Sequence, residues 1–134
     1  MSVFSSLAGE RHMSLATFRA NGESVPTPIW FAAVSGRLYV RTASHFKKLE
    51  RIAGNSAVIV APCTESGKVT GSAVAARARI LAPGDPVVAV AEAALEAKYA
   101  DVRPAMTKLL ADNGWAGVYV EISRSQESGK PARS

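Results

Sequence analysis

The sequence predicts a mainly β fold, a six-stranded antiparallel barrel with a few helices. Three observations carry that expectation. Short segments alternate apolar and polar residues, the signature of half-buried strands. Tight-turn pairs, Asn21-Gly22 and Ser35-Gly36, separate the early segments at hairpin spacing. The helical patterns do not alternate regularly with strands, which argues against a doubly wound parallel sheet. With 134 residues, 48% hydrophobic and 20% charged, the chain fits one globular domain, expected over residues 1–124, followed by a disordered polar tail at 125–134.

Residues 2–9 read as a short helix with Val3, Phe4 and Leu7 on one face. Residues 12–19 alternate, Met13 and Leu15 against Ala16 and Phe18, and Asn21-Gly22 turns the chain into a return strand at 24–34. That strand contains Pro26 and Pro28, which cannot donate to a ladder, so one of its sides is expected to be free for a ligand or a partner subunit. After Ser35-Gly36, residues 37–43 put Leu38, Val40 and Thr42 on one face and Arg37, Tyr39 and Arg41 on the other. Ser44 is a good cap for a helix over 45–53, whose apolar stripe is Phe46, Leu49 and Ile52. Residues 57–62 read as a buried strand and 68–81 as a long strand rich in alanine. Asp85-Pro86 starts a helix that runs to about residue 100, with Val88, Ala91, Leu95 and Tyr99 on one face. A second helix carries Met106, Leu109 and Leu110 and stops at Asn113-Gly114. Residues 115–123 alternate again, with Val118, Val120 and Ile122 inward.

Composition excludes several function classes. No apolar run approaches the ~20 residues needed to span a membrane. The first ten residues lack the pattern of a secretory signal, and a single cysteine, Cys63, allows no intrachain disulfide, so a cytoplasmic protein is expected. His12, His45 and Cys63 are too scattered in sequence to suggest a metal site; the histidines read as surface or capping residues and Cys63 as a small core residue. Aromatic residues make up 7%, too few for a stacking platform, so nucleic acid is not an expected partner.

The net charge is +5, and its placement is informative. From Arg37 to Arg79 there are eight basic and two acidic residues, a net +6; the remaining eight basic and nine acidic residues leave −1. An anionic partner is therefore expected at the middle third of the chain. One constellation stands out there: Thr42 at a strand end, then Lys47, Lys48 and Arg51 on the next helix, with Lys48 and Arg51 sharing a face at i, i+3. A hydroxyl beside clustered cations suits a phosphomonoester or phosphodiester, and the same pattern also suits a solvated basic helix with Glu50 as counter-charge. Trp30, Phe31 and Tyr39, on adjacent strands, are either core or a cover for a flat conjugated ring. No triad or carboxylate pair assigns a catalytic residue.

These stretches also carry a family resemblance. Ser14-Leu-Ala-Thr-Phe-Arg-Ala-Asn-Gly, Pro26-Thr-Pro-Ile-Trp-Phe and Gly36-Arg-Leu-Tyr-Val-Arg-Thr resemble the pyridoxamine-phosphate-oxidase-like split β-barrel proteins, most of all their F420-dependent reductase branch. Val60-Ala-Pro-Cys, Thr70-Gly and Ala76-Arg-Ala-Arg extend the likeness, which covers residues 13–99. The resemblance implies an FMN-binding-like split barrel that is a homodimer with cofactor sites at the subunit interface. It implies that Thr42 and Lys48, with Lys47 beside them, grip a cofactor phosphate, that Pro28, Ile29 and Trp30 lie along the ring, and that Arg51 helps with the phosphate or an acidic tail. Coenzyme F420, a deazaflavin with a phosphodiester and an oligoglutamate tail, is the implied cofactor; FMN is the alternative. The activity implied is hydride transfer between F420 and a small conjugated substrate. An FMN-dependent oxidoreductase or a non-catalytic F420 or flavin carrier is the other outcome open to the same scaffold.

Overall fold

The computed structural model describes residues 7, 9–43, 47–101, 103–114 and 117–124. Strands β1 (Met13–Phe18) and β2 (Ser24–Ile29) pair antiparallel, from Met13↔Ile29 to Phe18↔Ser24. The turn falls where Asn21-Gly22 predicts it but has a different build. Only Gly22 takes positive φ, at +91°. Gly22 N–H donates to the Arg19 carbonyl, Arg19 N–H donates to the Glu23 carbonyl, and Asn21 Oδ1 accepts from Glu23 N–H at 2.9 Å. Asn21 thus serves through its side chain, and the loop has three residues rather than two. Ser35-Gly36 does form the expected two-residue turn, with φ of 51° and 82°, between β3 (Ala32–Val34) and β4 (Arg37–Ala43).

The described residues form seven strands where six were expected. The return strand expected over 24–34 breaks at Trp30-Phe31: β2 pairs with β1, and β3 pairs with β4. The cause is a side chain. Phe31 N–H donates to Tyr99 Oη at 3.1 Å, and the Phe31 carbonyl lies 3.0 Å from the same hydroxyl. The Phe31 N–H is therefore satisfied without a ladder partner, and the chain is free to change neighbours.

The remaining elements are α1 (Lys47–Gly54), β5 (Ala57–Pro62), β6 (Val74–Ile80), α2 (Val87–Lys98), α3 (Arg103–Asp112) and β7 (Gly117–Arg124). The sheet order is β2-β1-β5-β6-β7-β4-β3, antiparallel throughout. Its two edges, β2 and β3, are consecutive in sequence, so the sheet curls back on itself into a half-barrel. β2 is an edge strand, which accommodates Pro26 and Pro28.

β6 starts at Val74, six residues later than the alanine-rich pattern suggests. The preceding segment is a turn, with Gly67 N–H bonded to the Thr64 carbonyl and Thr70 N–H to the Pro62 carbonyl. Gly71 is packed so closely that a Cβ there would come within 2.7 Å of Pro62 Cγ. Asp85 caps α2 as predicted: its Oδ1 accepts from Val87 N–H at 2.9 Å. The Arg79 guanidinium and this backbone bond hold the Asp85 carboxyl below its usual range, the backbone bond contributing most. α3 is braced to α2 by Arg103, buried at 5% exposure and bonded to Glu92 at 3.0 Å and Glu96 at 3.4 Å.

The main core gathers Met13 and Leu15 of β1, Leu38 and Val40 of β4, Val58 and Val60 of β5, Ala76 and Ala78 of β6 and Val120 and Ile122 of β7. Ile52 of α1 and Leu7 close it, with Leu49 against its edge. A second cluster joins Ala32, Leu95 and Tyr99, with Trp30 packed on it. Cys63 is buried, and burial pushes its thiol up, as a core cysteine should behave. The expected cap Ser44, the apolar residue Phe46, residues 2–6 of the N-terminal helix, Trp115 and the tail at 125–134 lie outside the described residues, as do the side chains of Met106 and Leu110.

Lys98, at the end of α2, has its ammonium 3.6 Å from the centroid of the Phe31 ring and buried without a hydrogen-bond partner among the described residues. Burial pushes its pKa down to about 8, and Arg11 adds to this. The charged form is thus disfavoured in the folded state: the penalty is present below pH 8 and is relieved as pH rises from 8 toward the ordinary lysine value. Relative to Lys98→Met, the wild-type chain should therefore gain stability between pH 8 and 10, measured by urea unfolding at each pH. A flat difference across that window would contradict the burial of the charge. Tyr39, pushed up to about 12 by burial and by its bond to Glu121, works in the opposite sense, but only above pH 10.

Candidate cofactor site

The alternation of β4 decides where its functional side chains go. Leu38, Val40 and Thr42 point to the core side; Arg37, Tyr39 and Arg41 point to the other face. Thr42, 6% exposed, has a hydroxyl oxygen that is buried and finds no hydrogen-bond partner among the described residues. A buried hydroxyl without a partner costs about 1–3 kcal/mol, so it marks a position suited to a ligand atom. Four residues after β4, α1 packs on β1 and β6. Leu49 and Ile52 anchor it on the core.

That anchoring turns Lys48 inward, leaving it 9% exposed. Burial lowers the Lys48 pKa, and the Arg51 guanidinium lowers it further. The two cations therefore lie close enough to repel, and an anion between or beside them would relieve that repulsion. Arg51 is held in place by β1: its Nε donates to Thr17 Oγ1 at 2.6 Å. Thr17 was not legible as a site residue, since a threonine on a half-buried strand carries no distinguishing pattern. Lys47 is exposed on the same helix.

The three residues expected along a ring separate. Pro28 is exposed on the edge strand β2, paired with Ser14. Ile29 packs against the main core, the one that holds α1. Trp30 belongs instead to the second cluster: its ring stacks on Tyr99 with centroids 4.9 Å apart, and its indole N–H donates to His12 Nε2 at 3.2 Å. Phe31 is fully buried and Tyr39 is 5% exposed, its hydroxyl donating to Glu121 Oε2 at 2.9 Å. The structure thus brings Lys48 and Arg51 together on one helix and leaves Trp30 engaged by α2.

The Thr42 hydroxyl, without a hydrogen-bond partner among the described residues, and the buried Lys48 of the next element have the chemistry that a phosphate-bearing cofactor would need. No family model matches the chain, and no curated protein matches it. Solved structures do. HutZ, the heme storage protein from Vibrio cholerae, superposes with a TM-score of 0.68 at 11% identity, over 88% of this chain and 84% of that one. A FAD-binding protein from Mesorhizobium loti gives 0.65 at 19% identity, over 90% and 83%. An F420 reductase gives 0.52 at 17% identity, over 92% and 94%. The fold is the split β-barrel of pyridoxamine-phosphate-oxidase-like proteins.

Within this split barrel the edge strands β2 and β3 flank the Trp30-Phe31 switch, and α1 lies over β1 and β6. No helix among the described residues is long and apolar enough to cross a membrane.

Proposed function

We propose that this chain is an F420-dependent oxidoreductase of the pyridoxamine-phosphate-oxidase-like class, passing a hydride between coenzyme F420 and a small conjugated substrate. The observation that carries the reading is the buried Thr42 hydroxyl, without a hydrogen-bond partner among the described residues, ahead of a helix whose Lys48 is itself buried. A solvated basic helix would keep its lysines exposed, whereas Lys48 is 9% exposed. When bound, reduced F420 supplies the hydride; the protein contributes binding, orientation and electrostatics. Thr42 Oγ would donate to a cofactor phosphate oxygen. Lys48 and Arg51 would supply charge to the same group, and Lys47 would meet the more exposed anionic portion. Pro28 and Ile29, on the edge strand, would offer the ring a flat surface, with Trp30 bounding it from the second cluster.

The +6 middle segment suits the polyanionic F420 better than FMN needs. The protein would act as a homodimer in the cytoplasm, with a small-molecule acceptor and neither nucleic acid nor membrane as partner. The FAD-binding neighbour supports the second reading, an FMN-dependent oxidoreductase or flavin carrier on the same scaffold. The heme storage neighbour shows that a resemblance in fold reaches proteins described by storage rather than turnover. Turnover separates enzyme from carrier. With reduced F420 and a panel of enones and quinones, the oxidoreductase consumes cofactor with at least one acceptor; binding with no consumption across the panel would make the protein a carrier.

A further inference from the structure

One hydrogen bond holds the polar atom of Trp30. Its indole N–H donates to His12 Nε2 at 3.2 Å, and both residues are half-buried. His12 stands one residue before β1, and its carbonyl accepts from Cys63 N–H at 3.4 Å, which ties its backbone to the chain just past β5. The Trp30 ring stacks on Tyr99 with centroids 4.9 Å apart and planes 12° from parallel. Stacking fixes the plane of an indole but leaves it free to slide and turn within that plane; the directional bond to His12 removes that freedom. There is room for such a turn, because a cavity of about 30 Å³ lies between Trp30, Leu95, Tyr99, Arg41 and Arg103.

The same bond fixes the protonation state of the histidine. An indole nitrogen only donates, so His12 Nε2 has to present a lone pair, and the hydrogen of the neutral ring sits on Nδ1. An imidazolium carries hydrogen on both nitrogens, and its Nε2–H would face the Trp30 N–H with no acceptor between them. The charged and titratable groups of the elements packed around the pair are Glu10 and Arg11 in the segment leading into β1, Cys63 after β5, and Lys98, Tyr99 and Asp101 at the end of α2. All of them are kept in variants of His12, so a comparison of wild type with such a variant isolates the imidazole.

We propose that His12 is a positioning residue for Trp30, and that protonation of its ring releases the indole and loosens the wall of the cofactor site. The effect on the cofactor rests on the proposed function, in which Trp30 bounds the ring. The clamp itself belongs to the free protein and stands without that reading.

NMR of the isotope-labelled full-length chain tests the clamp with no cofactor present, the Trp30 indole signal being assigned by its absence from Trp30→Phe. As pH is lowered from ~8 to ~5, the range in which histidines change charge, the signal should move in wild type. It should stay in His12→Gln, whose Oε1 accepts at every pH, and stand near its acid position throughout in His12→Leu. An indole signal indifferent to acid and to His12→Leu would overturn the proposal. F420 titrated into the same proteins then reads the site. Across that range wild type should lose roughly two- to tenfold more affinity than His12→Gln, the worth of one neutral hydrogen bond, and His12→Leu should bind weakly at both ends. Equal pH profiles for wild type and His12→Gln, with the indole signal moving, would overturn the control of the site by His12. A wild-type chain that ignores F420 at every pH while its indole signal moves would overturn that control together with the cofactor reading, and the clamp would stand.

Discussion

Replacing Tyr99 by Phe should lower the unfolding free energy by about 2–3 kcal/mol. The ring stays, so its 4.9 Å stack on Trp30 is kept; only the hydroxyl goes. That hydroxyl accepts from Phe31 N–H at 3.1 Å and lies 2.6 Å from the Arg11 carbonyl and 3.0 Å from the Phe31 carbonyl. Tyr99 and Phe31 are both fully buried. Water cannot replace the lost partner, so buried backbone groups are left unpaired. Tyr99→Ala should cost more, at least the ~3–5 kcal/mol of a large core truncation. Urea unfolding checks both variants, the midpoint falling while the slope holds. An unchanged midpoint for Tyr99→Phe would mean that the hydroxyl does not hold the strand switch.

Lys48→Ala should weaken cofactor binding by about 1–3 kcal/mol, a loss of roughly 5–150-fold in affinity, because a charged hydrogen bond to the cofactor is removed. Stability should not fall by a comparable amount. Burial and the Arg51 guanidinium both lower its pKa, so the charged form is less favoured there than in water. The same shift gives the binding a pH dependence. As pH rises through that lowered pKa, Lys48 loses the charge the anion needs, and affinity falls before an ordinary lysine would titrate. Lys48→Ala should flatten that fall. Fluorescence titration of F420 across pH measures both effects. An affinity and pH profile identical to wild type would remove Lys48 from the site.

Much of this was legible in the chain. Alternation in 12–19, 37–43 and 115–123 marked β1, β4 and β7 and sorted their side chains into two faces, with Val118, Val120 and Ile122 of β7 inward, because successive strand residues point to opposite sides. Asp85 gave the start of α2, and Pro26 with Pro28 gave an edge strand. The split of 24–34 into β2 and β3 was not legible. It depends on a hydroxyl 68 residues away in sequence, and local pattern holds no trace of that. The late start of β6 was missed because alanine-rich, small-residue stretches satisfy a strand pattern without showing where pairing begins. At the site, spacing put Lys48 and Arg51 on one face, but the burial of Lys48 came from Leu49 and Ile52 anchoring α1. For Trp30 the sequence left core and ring cover both open; its neighbours in the structure, Leu95 of α2 and Tyr99 at that helix's C-terminal end, are distant in sequence.

An equilibrium titration of the purified full-length chain with F420, run beside FMN, tests the central claim most directly. Saturable F420 binding, tighter than FMN and weakened by Lys48→Ala, is the expected result. A chain that leaves the fluorescence of F420 and the absorbance of FMN unchanged at saturating protein would contradict it.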